Sequence, residues 1–543
     1  MRENFSVGTE IAGSRRPFLV CLSRKLRLKN DVFKISGWCL VKIIRESNPD
    51  YSKICAIVGD ARLPIKMLFR KGMPTVKNFR LNHFEFSVTD EQLVHFDVQN
   101  RILLDYPEAT KRGRIIYRAL DLFKGHGRHS RILIAGDRAI YLRQTVKNTM
   151  YITQRLANDL DSRKGNAKLF AAWLLSKLCF WLHGNVLMFE KESARFEESA
   201  SAVFVKLMKR GAKNVYYILD KNAINYEAIK HKYGKHIVKK HSFKHLLYFF
   251  ATRKFIGTET LGHALQLRCA NRLVLRKFNS RRLEYVFLQH GVMYMISLDS
   301  DQRTGFYKQD YKKHKVIVSS KLEADHFIKY AGFKRRDLWV CGLPKFDKSV
   351  QNNDADKIVI MPTWRRWEAN LAATDFAATE YYRMIRQIIR NTPKDLRKNL
   401  IVMPHPLMLE ALKSASRNPL RKYLPEGEWS YDGVLRQCKL LITDYSSVAY
   451  DAFYRGANVV FYWGEKKRCM QQYGENAHLM LTKKLAFGPV CKKYEELPGV
   501  IREQYESGQA RRYLNRYRKI VKYYDGKNTN RVVKKLIKEG IVK

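Results

Sequence analysis

From about residue 185 onward the chain alternates short apolar runs with amphipathic ones, and this alternation narrows the fold more than any other feature. NVLMF (185–189), NVYYILD (214–220), KFIGT (254–258), YVFLQHG (285–291) and KVIVSS (315–320) read as strands. SARFEESASAVFVKLMKRG (193–211), FKHLLYFFAT (243–252) and LEADHFIKYAGF read as the helices between them, and DLWVCGLPKFD as a closing strand and loop. The pattern restarts after about 350 with KIVIMPTWR (357–365), the helix FAATEYYRMIRQIIRN, NLIVMPHP (399–406), VLRQCKLLITDYSS (434–447) and NVVFYW (458–463). Strands that alternate with helices imply parallel sheets. Two such runs in series predict an α/β chain with two Rossmann-like domains, 185–350 and 351–495, facing a cleft. Ligands in such sheets bind beyond the carboxyl ends of the strands.

The flanking segments read differently. Residues 1–155 carry short runs such as FLVCL, VFKISGWCLVKII and FEFSV, which predict a small β-rich N-terminal accessory domain. Residues 156–184 read as a helical linker. The apolar run LFAAWLLSKLCFWLHGNVLMF (169–189) is interrupted by Lys177 and His183 and falls short of a spanning segment of about 20 residues. A buried helix is the first reading and an interfacial helix the second. Residues 496–543 form a basic helical tail, and the opening MRENFSVGTEIAGSRR lacks the apolar core of a signal peptide.

Charge bounds the partner. Lys+Arg 102 against Asp+Glu 51 gives a net charge of +51, so an acidic partner is expected: nucleic acid, anionic lipid or a polyphosphate substrate. The nine cysteines stand singly, without a CxxC or Cys/His ligand spacing. That excludes the usual zinc frameworks and fits reduced thiols of a cytoplasmic protein.

Four predicted strands end in polar clusters: Gln289-His290-Gly291, Pro362-Thr363-Trp364-Arg365, Pro404-His405-Pro406 and Thr443-Asp444-Tyr445-Ser446-Ser447. His290 brings an imidazole, a side chain able to accept a proton at cytoplasmic pH, and Gly291 would let the backbone turn sharply. His405 is held between two prolines, as a rigid turn or as a phosphate contact. Arg365 can hold two phosphate oxygens at once, and Thr363 is a weaker candidate beside it. Ser446 and Ser447 lie where a helix N-terminus would meet an anion. Asp444 is awkward next to a phosphate and is read as a cap that orients the loop. Tyr450 and Asp451 are read as packing and capping residues. No DxD pair, HExxH or Walker sequence stands where a metal or P-loop mechanism would want it, so no metal and no cofactor is expected.

The series LQHG, GLPKFD, MPTWR, MPHP and TDYSS resembles the CDP-glycerol glycerophosphotransferases, which build teichoic-acid and capsule polymers of polyol phosphate. The resemblance covers about residues 186–490 and implies a GT-B-like fold, a CDP-activated polyol donor and a polyol-phosphate or lipid-linked acceptor. It also implies attachment to the cytoplasmic face of an anionic membrane. On it, His290 and His405 are the catalytic positions; Arg365, Thr363, Ser446 and Ser447 bind the donor pyrophosphate; Asp444 and Gly291 orient the loops. Three rivals stay open: a CDP-ribitol transferase, a nucleotide-sugar glycosyltransferase, and a non-catalytic nucleic-acid binder. The last has charge in its favour but shows no RRM, KH or helix-turn-helix signature, so nucleic acid is not the expected partner.

Overall fold

The structure, a computed structural model, describes residues 16–21, 25–30, 32–44, 50–58, 61–68, 75–76, 79–89, 92–93, 99–107, 113–117, 132–144, 150–267, 272–299, 307–308, 313–363, 365–368, 371–372, 375–404, 412, 420–425, 430–474 and 476–543. It divides into two compact units, one of residues 1–162 with 269–275 and one of 163–268 with 276–543.

In the first unit the described strands pair almost entirely antiparallel. Val32–Ile44 and Phe79–Thr89 form its longest ladder, in register from Val32↔Thr89 to Val41↔Arg80. The exception is Arg16–Cys21, which runs parallel to Gly113–Tyr117. Side chains on Val32–Ile44 alternate, so Phe33 and Ile35 enter the core while Lys34 stays exposed.

The second unit holds two parallel sheets. The strands of the first are β1 (Val186–Phe189), β2 (Val215–Leu219), β3 (Ile237–Lys239), β4 (Lys254–Gly257), β5 (Glu284–Phe287), β6 (Lys313–Val318) and β7 (Leu338–Val340), in the order β3-β2-β1-β4-β5-β6-β7. β8 (Lys357–Ile360), β9 (Leu400–Val402), β10 (Cys438–Thr443), β11 (Asn458–Tyr462) and β12 (Val490–Cys491) build the second, in the order β9-β8-β10-β11-β12. Strands covered on both faces need unbroken apolar runs, and every residue of β1 and β11 is buried. β3 was not legible in the sequence, because three residues inside the basic stretch KHIVKKH are too few to show a period.

Helix starts and stops follow local chemistry. The helix α1, Lys321–Ala331, begins where the Ser320 side chain accepts the Glu323 N–H and ends at Gly332, whose φ of 72° is left-handed. The helix α2, Val448–Arg455, follows Ser447 and stops at Gly456. The basic tail is not a loose appendage. Its helices α3, Arg511–Ile520, and α4, Asn528–Lys538, bury Tyr513, Tyr517, Val532 and Leu536. Both carboxylate oxygens of Asp347, in the loop after β7, accept the first N–H groups of α4 at 2.9 and 2.7 Å. The chain therefore ends packed back against the first sheet. One hydrophobic cluster contains Met188, Ile256, Val359, Leu441 and Val459 from the two sheets together with Tyr517 and Leu536 from the tail. Each such side chain contributes about 1.5–3 kcal/mol by leaving water.

The apolar run at 169–189 is not one buried helix. A helix at Arg163–Leu175 is followed by a tight turn at Phe180–Gly184 and then by β1. Leu169 and Ala172 face inward, whereas Phe170, Leu174, Leu178, Phe180 and Trp181 are exposed. Lys177 and His183 interrupt the run too often for a single apolar face to close over it. Among the described residues no helix is long and apolar enough to cross a membrane.

Candidate functional site

β4 and β5 are neighbours in register, Gly257 opposite Phe287, so the residues that follow them come out side by side. His290 leaves the end of β5 and lies against the end of β4. Its Nδ1 is 3.3 Å from the Thr258 carbonyl oxygen and 3.5 Å from Glu259 Oε1. A carbonyl only accepts, so Nδ1 carries the proton in the neutral ring and Nε2 keeps its lone pair. The imidazole is 40% exposed and open to a ligand. Burial pushes the neighbouring His263 below its ordinary pKa, against the pull of Glu259, 3.9 Å away.

The turn that delivers His290 is made by Gln289, not by Gly291. Gln289 takes a φ of 61°, which costs a non-glycine residue about 1–3 kcal/mol. Its side chain is buried and donates to the Ile317 carbonyl of β6 at 2.6 Å, which holds the strained backbone in place. Gly291 is there for room. A Cβ placed on it would lie 3.7 Å from Ser447 Oγ and 4.0 Å from Asp451 Oδ2. Ser447 and Asp451 belong to the second sheet, so the loops of the two sheets meet at this point.

On the second sheet, β8 and β10 pair through Ile360 and Ile442, and Thr363 and Asp444 follow them. Asp444 Oδ1 accepts from the Thr363 N–H at 2.7 Å, the Thr363 hydroxyl at 2.6 Å and the Tyr445 N–H at 2.6 Å. Trp463 Nε1 donates to the Asp444 carbonyl at 3.0 Å. The carboxylate thus fixes the turn into α2 and stitches it to the end of β8. Ser446 Oγ lies 3.4 Å from the Val448 N–H, and Ser447 stands at the start of α2 with no side-chain cap bond of its own. Both serines are partly exposed. The Tyr450 hydroxyl, one turn on, donates to the Tyr294 carbonyl of the first sheet's loop at 3.1 Å.

Arg365 points the other way. It is 1% exposed, and its Nη1 donates to Glu465 Oε2 at 2.6 Å, with Glu380 and Asp444 carboxylates at 3.8 and 3.9 Å. Burial by itself would depress the guanidinium pKa, but Asp444 and Glu465 more than offset it and hold it above its ordinary value. In this arrangement Arg365 faces protein carboxylates behind the TDYSS loop rather than the space in front of it. The reason is local neutralisation: a cation this deep must be paired. His405 and Trp364 lie outside the described residues, although the Pro404 carbonyl accepts the Tyr431 hydroxyl at 3.2 Å.

Two residues that the strand-end reading passed over also belong here. Lys345, inside GLPKFD, places its ammonium 2.8 Å from the His290 carbonyl and 2.6 Å from Asp451 Oδ1. Asp451 is therefore a bridge between the sheets as well as a residue of the first turn of α2. Glu259 follows the strand KFIG, so a fifth polar strand end was present in the sequence. Among the described residues, no group of three or more His, Cys, Asp or Glu side chains is arranged to hold a metal ion.

Two parallel sheets, joined where an imidazole at one strand end meets a hydroxyl-bearing helix start at another, define an open α/β protein with a polar site at its carboxyl ends. The chain belongs to the CDP-Glycerol:Poly(glycerophosphate) glycerophosphotransferase family, whose model matches residues 174–538. It is similar to the minor teichoic acid biosynthesis protein GgaB of Bacillus subtilis (strain 168), with 25% identity over 375 residues, 64% of this chain and 39% of that protein. The chain thus spans about two fifths of the length of this curated relative. Among solved structures it is similar to the wall teichoic acid polymerase TagF, with a TM-score of 0.48 and 14% identity over 69% of this chain and 94% of that one.

Proposed function

We propose that this chain transfers glycerol phosphate from CDP-glycerol to a hydroxyl of a teichoic-acid-like polyol-phosphate acceptor and releases CMP. The observation that carries the reading is the 3.7 Å approach of Ser447 Oγ to the Cβ position of Gly291, beside His290, in a chain of this family. In this reading the two sheets are the halves of a GT-B-like fold. The acceptor hydroxyl gives its proton to His290 Nε2 as its oxygen bonds to the β-phosphorus, and the bond from that phosphorus to the oxygen of CMP breaks. Ser446 and Ser447, at the positive end of the α2 dipole, receive the diphosphate. His405 and Thr363 complete the donor side, and Arg365 serves it indirectly by holding Asp444. CMP release from CDP-glycerol and from CDP-ribitol, offered separately with a polyol-phosphate acceptor, tests the reading. CMP from the first only supports it, CMP from the second only replaces the donor, and none from either removes it.

The same reading places the protein at the cytoplasmic membrane face as a peripheral protein. Exposed Phe170, Leu174, Phe180 and Trp181 beside exposed Arg163, Lys164 and Lys177 support it, because anionic lipid matches both features. Co-sedimentation with anionic but not neutral liposomes is the expected result, lost on replacing Phe180 and Trp181 with Ser.

A further inference from the structure

Several acids in the second unit share a habit, while the buried Asp337 and Asp451 pair with lysines. Glu190 accepts the backbone N–H groups of Glu197, Glu198 and Ser201; Glu323 those of Met293 and Ser319; Glu368 those of Glu380 and Tyr381. Asp347 and Asp444 do the same at the helix starts described above. Each satisfies orphan donors, which is a structural task.

Glu259 departs from that habit. Its side chain is 12% exposed, and among the described residues its carboxylate meets two imidazoles: His290 Nδ1 at 3.5 Å and His263 Nε2 at 3.9 Å. In a chain with 102 Lys and Arg, a nearly buried acid whose ion-pair partners are imidazoles is selectively placed. The backbone is held as well, since the Tyr285 hydroxyl donates to the Glu259 carbonyl. Residues 258 and 259 therefore present a carbonyl and a carboxylate to one ring nitrogen.

We propose that Glu259 is the positioning residue of the proton acceptor: it keeps the proton of His290 on Nδ1 and the ring turned so that Nε2 meets the acceptor hydroxyl. This rests on the transfer reading above. The proton leaves the acceptor hydroxyl for Nε2, the ring becomes a cation, and the carboxylate stays ionised beside it, offsetting the charge the ring acquires. Glu259 itself touches neither the donor nor the acceptor.

The test uses the full chain and three variants. Glu259→Gln keeps the shape and removes the charge. It should lower kcat for CMP release about 10- to 100-fold, less than the loss of the base itself, and leave KM for CDP-glycerol within about twofold. Glu259→Asp, which restores the charge one methylene short, should recover part of the kcat. Wild-type kcat in Glu259→Gln overturns the proposal. So does a loss that Glu259→Asp does not relieve although that variant melts like wild type. His263→Gln should lose less than Glu259→Gln, and a larger loss overturns the assignment to His290. A second readout does not depend on turnover. In protein labelled with 15N-histidine, the His290 ring, assigned by its disappearance in His290→Ala, should show Nδ1–H in the wild type and a mixture in Glu259→Gln. If the wild type releases no CMP from either donor, the transfer reading fails, and an unchanged ring signal in Glu259→Gln separately overturns the role of Glu259.

Discussion

The ammonium of Lys345 sits 2.6 Å from Asp451 Oδ1, joining a loop of the first sheet to a helix of the second. The same ammonium holds the His290 carbonyl at 2.8 Å, so the position of the imidazole depends on the contact between the sheets. Lys345→Met should cost about 1.5–3 kcal/mol of stability, the range for a hydrogen bond to a charged group, and should lower turnover more than donor binding. Denaturant unfolding and kinetics of CMP release check this. In a double-mutant cycle with Asp451→Leu, coupling below about 0.5 kcal/mol would show that the two residues act independently.

Arg365 is the second test of position against contact. Its removal as Arg365→Met leaves Asp444 and Glu465 without their shared cation, and breaking such a buried pair costs about 3–5 kcal/mol. Arg365→Lys should not restore it, because an ammonium cannot reproduce the planar fork that reaches several carboxylates. A melting curve of Arg365→Lys that overlays the wild type would remove the clamp role.

Gly291 separates room from flexibility. Because its Cβ position has only ordinary contacts, at 3.7 Å to Ser447 and 4.0 Å to Asp451, Gly291→Ala should change stability by less than about 1 kcal/mol. The methyl group nevertheless occupies the space between His290 and Ser447, so CMP release should fall about tenfold or more, which is about 1.4 kcal/mol or more of barrier. Normal turnover with normal stability would show that substrate does not pass there.

The serines should act on the donor. Ser447→Ala removes a hydroxyl that makes no cap bond in the protein, so stability should hold while KM for CDP-glycerol rises about 5- to 10-fold, worth about 1–1.5 kcal/mol. Ser446→Ala should do the same with a slightly larger stability cost, since its Oγ faces the Val448 N–H. A fall in kcat at unchanged KM would move both serines out of the donor site.

Glu323 gives a pH dependence of defined sign. Burial raises its carboxyl from 4.5 to about 7, against the pull of the Ser319 and Met293 N–H groups. Between those values the unfolded chain has lost this proton and the folded chain still holds it. The folded state then binds more protons, so the contribution of Glu323 to stability is full below pH 4.5 and is lost as pH rises through about 7. Glu323→Gln should be less stable by about 1–3 kcal/mol, because one backbone N–H would face an amide NH2. Its stability should fall less steeply than wild type across that window. Parallel slopes for the two proteins would contradict the assignment.

Much of the architecture was legible because strands and helices are decided locally. The apolar runs VLMF of β1 and VVFY of β11 could only be covered on both faces, and Ser320 and Gly332 marked the ends of α1 within one turn of each. The polar strand ends at His290, Thr363 and Asp444 were visible for the same reason. The exposed side of residues 170–181 was not, since hydropathy counts apolar residues without saying which way each one faces.

Read alone, the residues settle that two parallel α/β runs follow one another and that each ends its strands in polar clusters. They do not say which clusters become neighbours. Folding placed Gly291 beside Ser447, Lys345 between His290 and Asp451, and Glu259 against His290. It also turned Arg365 inward onto three carboxylates, where a strand-end position had pointed outward to a phosphate. The reason is range: periodicity and capping act within a few residues, whereas charge pairing and the meeting of two sheets depend on groups about a hundred residues apart that only the packed core brings together.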